Sequence, residues 1–314
     1  MLIDHVDVMT PISIVIITLN RQQKLKNLLD SLTKQVFKNF EVIVVSDGST
    51  DQSFEIVKAF EGQFQSLRFS SHQNRGRSFS RNKGAAMATS KILVFLDDDM
   101  ICFPEAILQH YLHHQNRPSS ICVGTQEEDP SRIVNDFDLF RYTLSLKWEQ
   151  NVMTSSEEIS LRQTYLTSAN FSVSKTIFEK IGKFDERIFV EDFDLAVRAR
   201  ALGVPIFYNL KVRAFHDNVM NCQSFILKQI KYAEFYEGLI RLRPELINKY
   251  DATSQYQPGI FKKIYFFIFS HKVFVTAVDR GLFKLVLPKK IRFQFYDLLI
   301  TGLARVYRKR IQQN

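Results

Sequence analysis

The chain of 314 residues is short of several things that would settle its class at once. It has three cysteines, Cys102, Cys122 and Cys222, an odd number with neither CxxC nor Cys/His finger spacing, which argues against a disulfide framework and a zinc finger and points to buried thiols. No apolar run approaches the roughly 18 residues of a spanning helix. The longest candidate, Ile264 to Phe269, is flanked by Lys263 and by His271-Lys272. Met1 to Asp7 has no basic start and no long apolar stretch before strand-like residues begin at Ile12, so a cytosolic protein is expected. There is no internal repeat, no low-complexity tract and no nucleic-acid-binding motif. Acidic residues are scarce at the end: from Pro258 to Asn314 there are 12 Lys/Arg against 2 Asp/Glu, leaving 30 against 31 before Pro258. The net charge of +9 therefore belongs to the tail.

What is present in the first half is an alternation of strand-like and helix-like segments, the pattern of a mainly parallel sheet with crossover helices. Ile12 to Thr18 reads as a buried strand, followed by a helix with Leu25, Leu28, Leu29 and Leu32 on one face. Phe40 to Val45 is a second strand, ending in the turn Ser46-Asp47-Gly48, after which Ser49, Thr50 or Asp51 caps a helix running to Phe60. Leu67 to Ser70 reads as a third strand, Ser78 to Thr89 as a helix, and Ile92 to Leu96 as a fourth strand. Pro104 starts another helix, Ser120 to Val123 is a further strand, and residues 131 to 163 form a less periodic, mobile or inserted stretch carrying the one tryptophan, Trp148. Thr164 to Val173 reads as a strand, a helix starts near Glu191-Asp192, and Ile206 to His216 supplies one or two last strands.

The most unusual local feature is Asp97-Asp98-Asp99, directly after the fourth strand. Three adjacent carboxylates repel one another and persist where water, a cation or a hydrogen-bonding ligand neutralises them; the C-terminal end of a strand is where open α/β sheets place ligands. Standing alone the triplet is a solvated turn, Asp47 is a turn-forming residue ahead of Gly48, Arg81 is a surface arginine and His216 is structural. Likewise Glu191, Asp192 and Asp194 would serve a helix dipole. Four strand ends nevertheless bring polar groups to one rim: Thr18 with Asn20, Asp47, the triplet, and His216.

Six segments in order then carry a resemblance: Ser13 to Arg21, Val44 to Asp51, Asn74 to Gly84, Phe95 to Asp99, Ile181 to Glu186 and Glu191 to Leu195. Over roughly residues 11 to 217 the chain resembles the family-2 inverting glycosyltransferases of the GT-A fold, a Rossmann-like, mainly parallel mixed sheet flanked by helices. It departs from that pattern in having Ile17-Thr18-Leu19-Asn20 for the family's frequent Pro-Thr-Tyr-Asn, and Ser46-Asp47-Gly48 for Asp-Asp-Gly. The resemblance implies transfer from a nucleotide diphosphate sugar, with a uridine diphosphate sugar the expected donor. It puts Thr18 and Asp47 at the base, Arg81 near the base or diphosphate, and Asp97 and Asp98 at the ribose and uridine side. By the same resemblance Asp99, at the DXD position, and His216 ligate a divalent metal, Mn²⁺ or Mg²⁺, with the imidazole favouring manganese. Asp192 is the implied catalytic base, with Glu191 as fallback.

The expected organisation is a catalytic domain over residues 1 to 219, with acceptor-side elements from about 125, and a helical, basic, aromatic-rich appendage over 220 to 314. Within it, residues 221 to 247 and 259 to 310 read as helices broken around Gly281 and Pro288. That tail either packs with a solvated basic end or attaches to an anionic membrane surface through residues 258 to 314, which suits a glycan or lipid-linked acceptor at the inner face of the plasma membrane. The Gln-x-x-Arg-Trp motif and the membrane spans of processive synthases are missing, so single-sugar addition in surface polysaccharide or glycolipid assembly is expected. Two rival readings are a non-catalytic nucleotide-sugar-binding scaffold, which needs no base, and a sugar-phosphate nucleotidyltransferase, which needs a Gly-rich loop where Thr18 to Gln22 stands.

Overall fold

A computed structural model describes residues 11–153, 158–159, 165–250 and 258–312. The reading of Met1 to Asp7, and parts of those on 131–163 and 164–173, lie outside the described residues. Among the described residues nine strands form: β1 (Ile12–Thr18), β2 (Phe40–Ser46), β3 (Ser66–Ser71), β4 (Ile92–Asp97), β5 (Met100–Cys102), β6 (Ile121–Val123), β7 (Asn170–Ser174), β8 (Ile206–Tyr208) and β9 (Ala214–His216). Seven of them make one sheet in the order β3-β2-β1-β4-β7-β6-β8. All its pairings are parallel except those of β7, which runs antiparallel to both β4 and β6. The mixed, mostly parallel α/β sheet is the expected fold class.

β1 shows why the sheet is buried on both faces. Ile12, Ile14 and Ile16 point into a core with Leu25, Leu28, Leu29 and Leu32 from the helix Gln22–Thr33, while Val15 points into a second core with Phe95 and Phe171. The Phe95 and Phe171 rings stack at 4.8 Å across β4 and β7, and each fully buried ring contributes roughly 2–3 kcal/mol of transfer free energy. Gly84 lets the helix Arg77–Met87 lie close on the sheet: a Cβ there would collide with the Val15 side chain.

β1, β2 and β4 end at one rim, and the short two-stranded sheet β5-β9 extends it. Its antiparallel register pairs Met100 with His216, and the Asp217 amide donates to the Asp99 carbonyl at 2.7 Å. That pairing is what carries a residue more than a hundred positions away back to the acidic triplet.

The chain divides into two compact units, the first Met1–Glu127, Val152–Asp217 and Lys249–Asp251, the second Glu128–Asn151, Asn218–Asn248 and Ala252–Asn314. The second therefore draws on residues 128–151 as well as on the tail. Where the sequence shows no clear period it contains an 18-residue helix, Asp136–Met153, whose apolar residues are spread around its circumference, which is why no face stands out. Its core joins Phe137 and Phe140 to Ile226, Ile230, Tyr296 and Leu299. Asp136 accepts from Arg292 Nε at 2.6 Å and from Tyr296 Oη at 2.7 Å. Several boundaries differ from expectation, among them the helix expected to start at Pro104, which begins at Ala106, and the helix after β2, which begins at Ser53 with Gln52 at its cap. The strand before Lys175 covers only Asn170–Ser174, because Ser168 and Ala169 form a turn. Pro244 splits the helix after Asn221 into Cys222–Leu242 and Pro244–Tyr250. The tail also breaks at Ser270, between the helices Ile260–Phe269 and Lys272–Asp279.

Candidate active site

The rim is assembled by two loops that hold each other. Asn20 adopts a left-handed conformation (φ 53°), its amide donates to Ser49 Oγ at 3.0 Å, and its Oδ1 accepts from the Thr50 amide at 2.8 Å. Gly48 is also left-handed (φ 92°), and a Cβ there would lie 2.9 Å from the Asn74 nitrogen, so the turn after β2 admits only glycine without strain. This places Asp47 beneath the segment leading into the helix Arg77–Met87. Its carboxylate accepts from the Arg75 amide at 2.8 Å and the Gly76 amide at 3.1 Å. Asp47 thus shapes the loop facing the rim while keeping lone pairs for one more donor.

The acidic triplet separates into three environments. Asp97 takes Arg81 Nη2 at 2.6 Å. Asp98 accepts from Thr18 Oγ1 at 2.8 Å and from Arg21 Nη1 at 3.1 Å. Asp99 receives the same Arg21 nitrogen at 3.0 Å through Oδ2, whereas its buried Oδ1 has no hydrogen-bond donor. His216 Nε2 lies 3.5 Å from that oxygen, past ordinary hydrogen-bond length. Burial raises the Asp98 carboxyl to about 6 against the pull of Arg21 and Thr18. Burial also pushes Asp99 up, but the nearby His216 ring and the Arg21 guanidinium outweigh it and hold that carboxyl below its ordinary value.

The sequence expectation that Arg81 touches the donor, or else lies on the surface, is corrected in one respect: the side chain is 1% exposed. Its guanidinium joins Asp97 to Glu191, whose Oε1 accepts Arg81 Nη1 at 2.8 Å. Arg77 adds a second bond to Glu191 at 3.2 Å. Contacts from buried Arg81 and exposed Arg77 leave Glu191 as a strut and leave Asp192, the next residue, half-buried at the start of the helix Glu191–Ala201. Asp192 Oδ1 accepts from the Phe193 amide at 2.8 Å. Burial first, and then the Glu191 charge, raise the Asp192 carboxyl to about 6, against the opposing pull of Arg81 and Arg77.

The structure therefore brings Thr18, Asp98, Asp99 and His216 into one cluster, links Asp97 through Arg81 to Glu191, the residue preceding Asp192, and sets Asp47 on the neighbouring loop. Sequence reasoning assigned no role to Arg21, the cation shared by Asp98 and Asp99, although it ends the first matching segment; a basic side chain beside a tight turn after β1 was the available signal.

Two donor atoms, Asp99 Oδ1 and His216 Nε2, face a common gap of 3.5 Å. Ligands about 2.1 Å from one ion at a right angle lie about 3 Å apart, so the pair fits two positions around a divalent cation. Among the described residues no group of three His, Cys, Asp or Glu surrounds a single point. The remaining positions would fall to phosphate oxygens and water, as Mg²⁺ and Mn²⁺ sites on nucleotides commonly arrange.

Known proteins give the site its context. The validoxylamine A glucosyltransferase of Streptomyces hygroscopicus subsp. jinggangensis is 25% identical over 256 residues, covering 69% of this chain and 60% of that protein, so the chain spans about three fifths of this relative's length. Two solved structures share the fold. The mannosyltransferase PcManGT from Pyrobaculum calidifontis, in complex with GDP-Man and Mn²⁺, superposes with a TM-score of 0.61 at 14% identity, covering 95% of this chain and 87% of that one. S. aureus TarS 1-349 in complex with UDP-GlcNAc gives 0.51 at 18% identity, covering 96% and 92%. The model of the family described as glycosyl transferase family 2 matches residues 13–182, more than half of the chain and all of the rim from Thr18 to the acidic triplet. A strand-end rim of this construction, on this sheet, with this match along it, makes the chain a member of glycosyl transferase family 2.

Proposed function

We propose that the protein is an inverting, metal-dependent glycosyltransferase that moves one sugar from a nucleotide diphosphate sugar, a uridine diphosphate sugar in the first instance, to a hydroxyl of a glycan or lipid-linked acceptor. One observation carries the reading. The buried Asp99 Oδ1, met by no hydrogen-bond donor, faces His216 Nε2 at 3.5 Å, and Arg81 ties the acidic triplet to Glu191, the residue beside Asp192. A charge-holding pair and a separate carboxyl raised by burial divide the work of charge holding and proton transfer.

In this reading Thr18 and Asp47 take the base and Asp97 and Asp98 the ribose side. Asp99 and His216 hold a divalent cation, which when bound supplies positive charge to the diphosphate leaving group. Asp192, ionised above about pH 6, accepts the proton of the acceptor hydroxyl. The hydroxyl oxygen then forms the new bond to the anomeric carbon from the face opposite the diphosphate. The old carbon–oxygen bond breaks and its electron pair leaves with the nucleoside diphosphate, so the configuration inverts. Support for a nucleotide-sugar donor comes from both structural neighbours, one in complex with GDP-Man and Mn²⁺ and the other with UDP-GlcNAc. The basic tail supports a place at the inner face of the plasma membrane, in surface polysaccharide or glycolipid assembly.

The test is a panel of nucleotide sugars in thermal-shift and slow-hydrolysis assays with Mn²⁺, Mg²⁺ or chelator. Stabilisation and hydrolysis by one donor, dependent on metal, is the expected result. Silence toward every donor in the presence of metal would remove the enzymatic reading.

A further inference from the structure

The helix Ile260–Phe269 is apolar nearly all round, yet only one side of it is covered. Phe266 is fully buried, and Tyr265 and Phe269 meet the Phe295 ring at 6.3 and 5.7 Å. On the other side Ile260 is 70% exposed, Phe261 86%, Ile264 54%, Phe267 62% and Ile268 50%. At 3.6 residues per turn these five occupy a single arc of roughly 120°. A contiguous row of large apolar side chains on a surface helix marks an interaction site.

Charge says what kind. No Asp or Glu occurs from Pro258 to Val278, and Lys262 and Lys263 are exposed on this helix. The first acid to follow, Asp279, is used internally, accepting from the Cys222 amide at 2.6 Å. The same chemistry returns further on, where Leu285 (81% exposed) and Val286 (72%) stand between exposed Lys284 and the exposed pair Lys289-Lys290. A second copy of this chain seated on the arc would bring like charges together, whereas an anionic surface would be attracted. Ten residues make a helix about 15 Å long, half of the roughly 30 Å hydrocarbon thickness, and no described helix is long and apolar enough to cross a membrane. Such a helix can lie in the interface plane with its apolar arc down and Lys263, which flanks the arc beside Phe267, at headgroup level.

We infer that the arc Ile260, Phe261, Ile264, Phe267 and Ile268 is the seat of an anionic lipid bilayer. This deepens the membrane placement proposed above by naming the face that makes the contact, and it does not depend on the sugar chemistry. The experiment is flotation of the full chain with vesicles of phosphatidylcholine alone and of equal parts phosphatidylcholine and phosphatidylglycerol, for the parent and for the double variant Phe261→Ser, Phe267→Ser. The parent should partition onto the phosphatidylglycerol vesicles in preference to the neutral ones, and loss of two inserted rings should weaken that partitioning by at least about tenfold. Both proteins should run as the same species on gel filtration and show the same circular dichroism, since the substituted side chains are exposed.

Three results would overturn the inference: indifference of the parent to phosphatidylglycerol, equal partitioning of parent and variant, or a parent dimer that the variant dissolves, which would give the face to a second copy. Donor-induced thermal shift, measured on the same preparations, separates this from the enzymatic reading. Lipid binding by a chain that answers to no donor would sink only the latter, and a donor response without lipid binding would sink only the former.

Discussion

The first unit buries acidic groups at both ends of one sheet and treats them in opposite ways. Near the start of β2, Glu41 is 2% exposed and receives the Ser13 hydroxyl at 2.5 Å, the Thr89 amide at 2.7 Å, the Thr89 hydroxyl at 2.8 Å and the Arg68 guanidinium. Burial raises its carboxyl, but these donors together bring it below its ordinary value. At the other end, Asp98 and Asp99 share the one guanidinium of Arg21, Asp98 is pushed up to about 6, and Asp99 Oδ1 has no donor. A buried carboxylate with both oxygens engaged is scaffold; one with an oxygen left without a donor is waiting for something. The difference lies in the supply of partners: the end around Glu41 draws donors from β1, β3 and the turn before β4, whereas the end around Asp99 opens onto loops.

The sharpest test of the contrast is Asp192, whose Oδ1 accepts from the amide that follows it. Asp192→Asn keeps the shape and removes the base, and it should lower the transfer rate by about 10³-fold while donor-induced thermal stabilisation stays near the parent value. Near-normal transfer by this variant would break the assignment. Next in size is Asp99→Ala, which removes one of the two facing donor atoms. It should weaken donor binding in Mn²⁺ on the order of 100-fold and leave the residual binding in chelator unchanged, as read by calorimetry. An equal loss with and without metal would mean that Asp99 serves the fold as Glu41 does.

Glu41→Gln reverses the expectation. A neutral amide cannot satisfy Arg68 and the three donors together, so urea unfolding should show a loss of about 3 kcal/mol, with turnover per folded molecule unchanged. Turnover that fell in parallel with stability would join the two ends into one network.

These ends were not equally legible. The apolar runs of β1, β2 and β4 are continuous and bounded by turn residues, so the parallel sheet and its rim could be read from them, and the six segments led to the family. Glu41 could not be read, because it sits as a lone acid in an apolar strand and its partners lie 28 residues before it and 27 and 48 residues after it. Arg81 misled for the same reason: an arginine on a helix is ordinarily solvated, and nothing local announces that Asp97 and Glu191, at separations of 16 and 110 residues, will enclose it. His216 could be read as a strand-end group at the rim, but its partnership with Asp99 came from the family pattern; the physical cause of their approach is the β5-β9 pairing, and three-residue strands carry no periodic signal. The helix Asp136–Met153 escaped because its apolar side chains show no preferred face, so the period that reveals an amphipathic helix is missing.

The smallest effect separates the two ends by pH. Asp192 is raised in the folded protein, so it must lose its proton to work, and kcat/KM should fall as pH drops through about 6. Glu41 is lowered in the folded protein. Above its unfolded value of 4.5 the folded carboxylate contributes its full stabilisation; as pH falls toward the folded value the unfolded chain takes up the proton first and that contribution is lost. The acid side of the activity profile should therefore lie above the acid dependence that Glu41 gives to Tm. Glu41→Gln should flatten the Tm profile below about pH 4.5 while leaving the activity limb near 6 in place. A variant that moved the activity limb would show that charge at the buried end reaches Asp192 across the sheet, and the division between scaffold and site would have to be redrawn.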